Sequence, residues 1–321
     1  MSMNPDDADN RGGIVEALAN TSQPARSATG AAVDWPKITV VTAVRNGAKY
    51  IEDTIRSVVK QGYPNLEYIV VDGASTDGTL EIIGKYEEHI SWWVSQPDNG
   101  LYDALNTGFA RSSGEIMGWL NASDMLHPGG LAVVGSVFKE LPEVRWITGR
   151  PSHIGEGSST TWVGPIPRWS RKRYLAGANR YIQQESTYWR RDLWEQTGKC
   201  VDASRRDASD ADLWVRFFRH AKLHGVDSLI GGYRKHADSI AAQDPAGYDR
   251  SLDEIVSREV QALKGERFVR AVRALGVHAH RHSGIAAWWD RAIIGRLYGW
   301  RGADWPAVIR NRNGAWCLSE E

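Results

Sequence analysis

The chain has 321 residues, 42% of them hydrophobic, which excludes an intrinsically disordered protein and leaves room for one large domain or two small ones. Its 39 Lys and Arg balance 39 Asp and Glu, which argues against a general nucleic-acid binder, because such proteins need net positive charge to displace counterions. The 2 cysteines, Cys200 and Cys317, are too few for a disulfide scaffold, lack metal-ligand spacing, and suit a reducing cytoplasm. Residues 1–34, rich in Ala, Ser, Asp, Asn and Gly, show no sustained period and read as a flexible tail without the basic-then-apolar pattern of a secretory signal. No run of about 18 apolar residues suggests a transmembrane helix. The 15 tryptophans suit an aromatic core, platforms for flat sugar faces, or a membrane interface.

Order is expected from Trp35. The β-branched run 37–44, KITVVTAV, reads as a buried parallel strand. Ile51, Ile55, Val58 and Val59 then share one helical face, and QGYPN ends that helix. LEYIVVDGASTDGT gives a second strand, a Gly-rich turn and a helix carrying Leu80, Ile83 and Tyr86. ISWWVSQPDNG is a third strand and turn, LYDALNTGFARSSG a helix, and EIMGWLNASD a fourth strand. Strands alternating with helices mean βαβ units, a mostly parallel α/β sheet, and ligands beyond the carboxyl ends of the strands. Asp72, Asp98 and Asp124 all fall at such ends.

Past residue 130 the pattern changes. GGLAVVGSVFKEL is helical, and VRWITGR and STTWVG read as a strand pair. RYIQQESTYWRRDLWEQTG runs from strand or loop into helix, and DASDADLWVRFFRHAKL is a helix with Leu213 and Phe217 inward. Three divisions follow: the tail at 1–34, a catalytic domain at 35–243 with halves 35–125 and 126–243, and a helical C-terminal extension at 244–321. Within the extension, 286–305 mixes Trp, Ile, Leu and Arg, a composition for peripheral contact with a membrane interface or for a helix packed on the domain.

Taken in order, ITVVTAVRNG, IVVDGASTDGTLEII, QPDNGLYDALNTG and GWLNASD, followed by QQESTYWRRDLW, DASDADLWVRF and GGYRKH, resemble a family 2 glycosyltransferase from about residue 37 to about 240. The resemblance implies the GT-A fold, a Rossmann-like sheet flanked by helices, and inverting transfer from a nucleotide-diphosphate sugar, with UDP as the first guess. The acceptor would be a hydroxyl of a glycan or glycolipid in polysaccharide biosynthesis. Carried over, Thr42, Ala43 and Val44 would line the base pocket. Asp72 would hold the base or ribose, and Asp98, Tyr102 and Asp103 would lie by the nucleotide. Gln184 and Glu185 would meet the acceptor, and Asp210 would be the catalytic base.

Two positions depart from the family pattern. The usual pair of metal-binding acids is replaced by Asn121 and Ser123, so Mg²⁺ or Mn²⁺ would rest on Asp124, with His236 as a further candidate, and dependence on metal is in question. An Arg common before the Asn of the third helix is Leu105 here, so the diphosphate would need Arg45, Lys49 or Arg111.

The chemistry needs neutralisation of the leaving diphosphate, a base for the acceptor hydroxyl, and a donor held for attack from the opposite face. Each acid also has a plain structural role open to it. Asp124 and Asp210 could be helix N-caps, and Asp72, Asp98 and Asp103 could fix turns. Asp212 is expected to pair with Arg216 at i+4. His278 and His282 have metal-capable spacing but no third ligand. Two other functions compete: a catalytically weakened nucleotide-sugar binder of the same fold, and a sugar nucleotidyltransferase, which would need a Gly-rich basic loop that TAVRNGAKY does not supply.

Overall fold

The segment Ile38–Val44 is buried along its whole length and forms an interior strand, β1. The computed structural model describes residues 34–166, 168–177, 181–237, 239–262 and 307–319. In it β1 runs parallel to β2 (Leu66–Asp72) on one side and β4 (Ile116–Trp119) on the other, with Val44 opposite Asp72 and Val41 opposite Trp119. β3 (Trp92–Ser95) lies parallel outside β2. Helices α1 (Ile51–Val59), α2 (Thr79–Lys85) and α3 (Leu101–Arg111) link these strands. The order β3-β2-β1-β4 therefore reverses direction at β1, and the crevice beyond the carboxyl ends of β1 and β4 is a topological switch point.

A strand covered on both faces must feed two cores. Val41 and Ala43 pack on one side with Ile69, Val71, Leu105 and Trp119. Ile38, Val40 and Val44 pack on the other with Ile51, Ile55 and Val58 of α1. The first turn of α1 carries Glu52 and Asp53, where negative charge complements the positive end of the helix.

The remaining elements are β5 (Met125–Leu126), α4 (Gly130–Glu140), β6 (Trp146–Thr148), β7 (Ser152–Ile154), β8 (Thr160–Val163), α5 (Arg171–Leu175), a 3-10 turn (Gln184–Ser186), β9 (Thr187–Arg190), α6 (Arg191–Gln196), α7 (Ser209–Phe218), β10 (Leu223–Val226), β11 (Gly231–Arg234), α8 (Ile240–Gln243), α9 (Pro245–Gln261), β12 (Val308–Arg312) and β13 (Ala315–Ser319). The main sheet is nine-stranded, in the order β13-β12-β10-β6-β9-β4-β1-β2-β3, and β9 enters it antiparallel to both neighbours. A second sheet, β5-β11-β7-β8, stands beyond the end of β4.

Two expectations are corrected here. VRWITGR and STTWVG do not pair: the apolar β6 is fully buried in the main sheet, whereas the exposed β8 pairs with β7. Nor is the whole extension at 244–321 helical. Pro245–Gln261 is a helix, but 308–319 form a hairpin whose first strand runs parallel to β10, with Gly225 opposite Val308. Its turn is Asn313-Gly314 at φ 55° and 88°, the backbone that a tight two-residue hairpin requires and that Asn-Gly adopts readily. The proposed membrane-contacting stretch 286–305 and the histidines 278 and 282 lie outside the described residues.

Most of the described tryptophans with the deepest burial are core. Trp119 and Trp146 stack on either side of Trp214, at centroid distances of 5.8 and 5.6 Å, and Trp189 meets Trp119 edge-on at 5.5 Å. Trp214 and Phe217 belong to α7, so this cluster fixes where that helix begins. α9 packs on α7 through ion pairs. Glu259 binds Arg219 and Arg171, and Asp212 binds both Arg216 at i+4, as expected, and Arg258.

Two predictions follow from this packing. An added Cβ at Gly231 would lie 2.1 Å from the Glu185 carbonyl oxygen, a backbone atom that cannot swing away. Gly231→Ala should therefore cost about 1–3 kcal/mol or more, read as a lower denaturant midpoint. Glu67 is buried at 8% exposure, which by itself would raise its pKa. The Ser113 amide and hydroxyl, the Thr39 hydroxyl and the Lys37 ammonium outweigh that and hold it at about 2. Its contribution to stability is thus complete above the ordinary carboxylate value and is lost as pH falls toward about 2. Glu67→Gln should flatten that acid arm in a plot of stability against pH; an unchanged slope would count against the network.

Candidate functional site

The carboxyl ends of β1 and β2 are tied into one rigid rim. Asp72 is fully buried and accepts from the Ser75 amide (2.9 Å), the Ser75 hydroxyl (2.5 Å) and the Ser95 hydroxyl (2.6 Å). Asn46, just past β1, accepts from the Thr76 amide on its side-chain Oδ1 at 2.9 Å and donates its backbone N–H to the Ser75 hydroxyl at 2.7 Å. Asp77 accepts from the Ala48 amide at 3.0 Å and the Thr79 hydroxyl at 2.6 Å. The motif DGASTDGT is thus a lattice of short side chains satisfying backbone donors, the physical use of Asp, Ser and Thr in turns.

Beside this rim, at the switch point, the strand β4 ends in Asn121–Asp124. Asp124 is 1% exposed. One of its carboxylate oxygens accepts from the Arg234 amide (2.9 Å) and the other from the Asn121 side chain (3.2 Å). Asn121 also donates to Gln184 Oε1 at 3.0 Å, and Gln184 donates to the Trp119 carbonyl. The next residue, Glu185, is 4% exposed, and its Oε1 has no hydrogen-bond partner; Asn121 Oδ1 is likewise buried and unpartnered. Such atoms are costly unless a ligand or water completes them.

Asp210 stands in the first turn of α7. The Tyr248 hydroxyl, from α9, lies 3.2 Å from its carboxylate and donates to it. Burial pushes Asp210 up to about 6, against the downward pull of the Ala211 amide and Tyr248. Burial raises Asp124 too, opposed by the Arg234 amide, Asn121 and the Arg234 charge. Glu185 is raised well above its ordinary range, by burial first and then by the charges of Asp124 and Asp210. Asp124 and Asp210 thus both lie near enough to Glu185 for their charges to act on it. At the start of α3, Tyr102 accepts from the Ser209 amide at 3.4 Å and also feels the charge of Asp210.

The structure thus brings Asp124, Glu185, Asp210 and Tyr102 together, with Asp72 at the neighbouring strand end. Asp98 accepts from the Gly100 amide at 2.9 Å, and Asp103 from the Asn99 amide at 3.0 Å, so both brace the turn into α3. Thr42, Ala43 and Val44 are buried, and the Thr42 hydroxyl accepts from Tyr68 at 3.1 Å. His236 lies farther along, 4.8 Å from the Tyr50 ring, in an open cleft of about 530 Å³ with Glu156, Tyr233 and Lys235. Arg111 lies over Trp92, and Lys49 over Tyr50.

Two participants escaped the sequence reading. Arg234, in GGYRKH, is a fully buried guanidinium beneath the Asn121–Asp124 loop. Tyr248 arrives from the segment read as an extension. Asp244 before Pro245 marks the start of α9, since Asp caps and Pro suits the first turn, but nothing local says that Tyr248 will meet Asp210.

A divalent cation needs several open oxygen ligands. Both Asp124 oxygens already accept protein donors, and no group of three or more His, Cys, Asp or Glu among the described residues is placed to hold a metal. As arranged here, the side chains do not fit a cation resting on Asp124.

Residues 39–198 match the model of Glycosyl transferase family 2. An uncharacterized glycosyltransferase of Mycobacterium tuberculosis is 31% identical over 159 residues, 48% of this chain and 58% of the relative. TuaG of Bacillus subtilis, named for teichuronic acid biosynthesis, is 37% identical over 95 residues, 28% of this chain and 38% of the relative. The chain thus spans less than two thirds of the length of either. Among solved structures, S. aureus TarS 1-349 in complex with UDP-GlcNAc superposes with a TM-score of 0.59 at 16% identity, covering 81% of this chain and 75% of that one. The mannosyltransferase PcManGT from Pyrobaculum calidifontis, in complex with GDP-Man and Mn²⁺, gives 0.50 at 17% identity, covering 84% and 89%. At such identity these two establish the shared fold, the GT-A arrangement expected from the sequence. By its motifs, its sheet order and the family model that it matches, the chain belongs to glycosyl transferase family 2.

Proposed function

We propose that this chain is an inverting glycosyltransferase that moves a sugar from a nucleotide-diphosphate sugar, with UDP-sugars the first donors to try, to a hydroxyl of a glycan or glycolipid. The observation that carries the reading is the gathering of Asp124, Glu185 and Asp210 at the switch point of the sheet, with Glu185 Oε1 and Asn121 Oδ1 unpartnered. The UDP-GlcNAc bound by TarS and the GDP-Man bound by PcManGT support a nucleotide sugar as donor. TuaG's name supports polysaccharide biosynthesis as the setting.

In this reading Asp210 is the base. It must be ionised to take the acceptor proton, and at about 6 it is ionised at neutral pH yet basic enough to accept one. Glu185, with Gln184 holding the loop beside it, receives acceptor hydroxyls on its open oxygen. Asp72 takes base or ribose, and Thr42, Ala43 and Val44 back the base. Asp98, Tyr102 and Asp103 shape the turn that carries the diphosphate. The cation is assigned no step, and its need is a matter for assay. A second reading, a binder with weakened catalysis, draws on Ser123 and on the engaged oxygens of Asp124.

Release of sugar from a panel of nucleotide sugars, with and without Mn²⁺, separates the two. A binder would show a thermal shift with nucleotide and no sugar release. Asp210→Asn should lower transfer by about 10²–10⁴-fold while nucleotide affinity is kept; turnover equal to the unmodified enzyme would remove Asp210 from the mechanism. The rate should fall as pH drops through about 6. Tyr248→Phe deletes a hydrogen bond that pulls the Asp210 pKa down, so that acid limb should move to higher pH.

A further inference from the structure

Arg234 is the largest charged side chain fully buried among the described residues, and every arm of its guanidinium is engaged. Nε donates to the Ser123 carbonyl at 2.6 Å. One terminal nitrogen donates to the Glu156 carbonyl at 3.0 Å and the Ser158 hydroxyl at 3.1 Å. The other meets Asp53 Oδ2 at 3.1 Å and Met125 Sδ at 3.0 Å. The plane of charge sits 4.8 Å from the Tyr50 ring, and the Arg234 amide holds Asp124 Oδ1 at 2.9 Å. Ser158 closes the triangle by donating to Asp53.

We propose that Arg234 is a positioning residue that locks the Asn121–Asp124 loop to the 155–158 turn and to α1, and so fixes the carboxylate rim for sugar transfer. The inference rests on the glycosyltransferase reading for its kinetic consequence only. Its geometry is specific to Arg. The Ser123 and Glu156 carbonyls, the Ser158 hydroxyl and the Asp53 carboxylate lie on different sides, and a planar fork reaches all four where the compact ammonium of Lys cannot. The loop that it holds ends on Asp124, whose backbone carbonyl also accepts from Thr54 of α1 at 2.8 Å. A shift of this loop moves Asp124, Asn121 and Gln184 together, because they are joined by hydrogen bonds. Arg234 itself has no exposed surface and cannot touch a substrate.

The test compares the unmodified protein with Arg234→Lys and with the milder Asp53→Asn and Ser158→Ala, which trim the triangle from its half-buried side. Hydrogen exchange should speed up in peptides covering 121–126 and 155–158 together, with the β1–β2 rim unchanged. Transfer kcat should fall roughly ten- to hundredfold in Arg234→Lys and less in the other two, since small misplacements cost about that much. The dissociation constant for UDP should stay within about threefold, because misplacing groups that act in the transition state lowers kcat without weakening ground-state binding. Unchanged exchange at 121–126, or UDP affinity that falls in step with kcat, would overturn the proposal. If Arg234→Lys does not fold, the two milder variants give the same readouts. If the unmodified protein transfers no sugar, the functional reading fails, and the exchange data still decide whether Arg234 locks the loop.

Discussion

Setting three carboxyl groups into one poorly solvated rim costs free energy, and the structure depends on how that cost is offset. Asp124 has two donors and the nearby charge of Arg234. Asp210 has the Ala211 amide and Tyr248. Glu185 has neither kind of support for its Oε1. The rim is therefore graded: one group held, one assisted, one left open. A uniform set of ion pairs would leave no carboxyl oxygen of the rim open to a further partner.

The grading is imposed by packing distant from the carboxylates. The Trp119, Trp146, Trp189 and Trp214 cluster fixes α7, and α7 presents Asp210. α9 is clasped to α7 by Glu259 and Asp212, and it brings Tyr248. Ala208, just before α7, takes φ 55°, a strained choice for a residue with a side chain, held because it is fully buried. Aromatic mass and buried ion pairs thus do for this half of the molecule what short turn residues do for the β1–β2 rim.

The parallel half was legible because strand runs such as ITVVTAV and turn chemistry such as DGASTDGT are local signals. Asp124, Glu185 and Asp210 were visible as acids at motif positions, and their meeting required the fold. Arg234 was invisible for a reason of kind. A lone Arg in a polar stretch reads as solvated, and only the crossing of β11 beneath the β4 end buries it. Tyr248 lies in the expected helical extension, where a helical pattern says nothing of which residue of the domain it meets. The hairpin at 308–319 carries its own local signal in Asn313-Gly314, which a helical expectation for the whole of 244–321 overrides.

That hairpin changes what β10 is. β12 runs parallel beside β10, and β13 pairs antiparallel on the outer side of β12. With β6 on its other flank, β10 is an interior strand whose backbone groups are paired on both sides. The outer border of the sheet is set instead by β13, a short five-residue strand, and β10 is closed to edge-to-edge association with another chain.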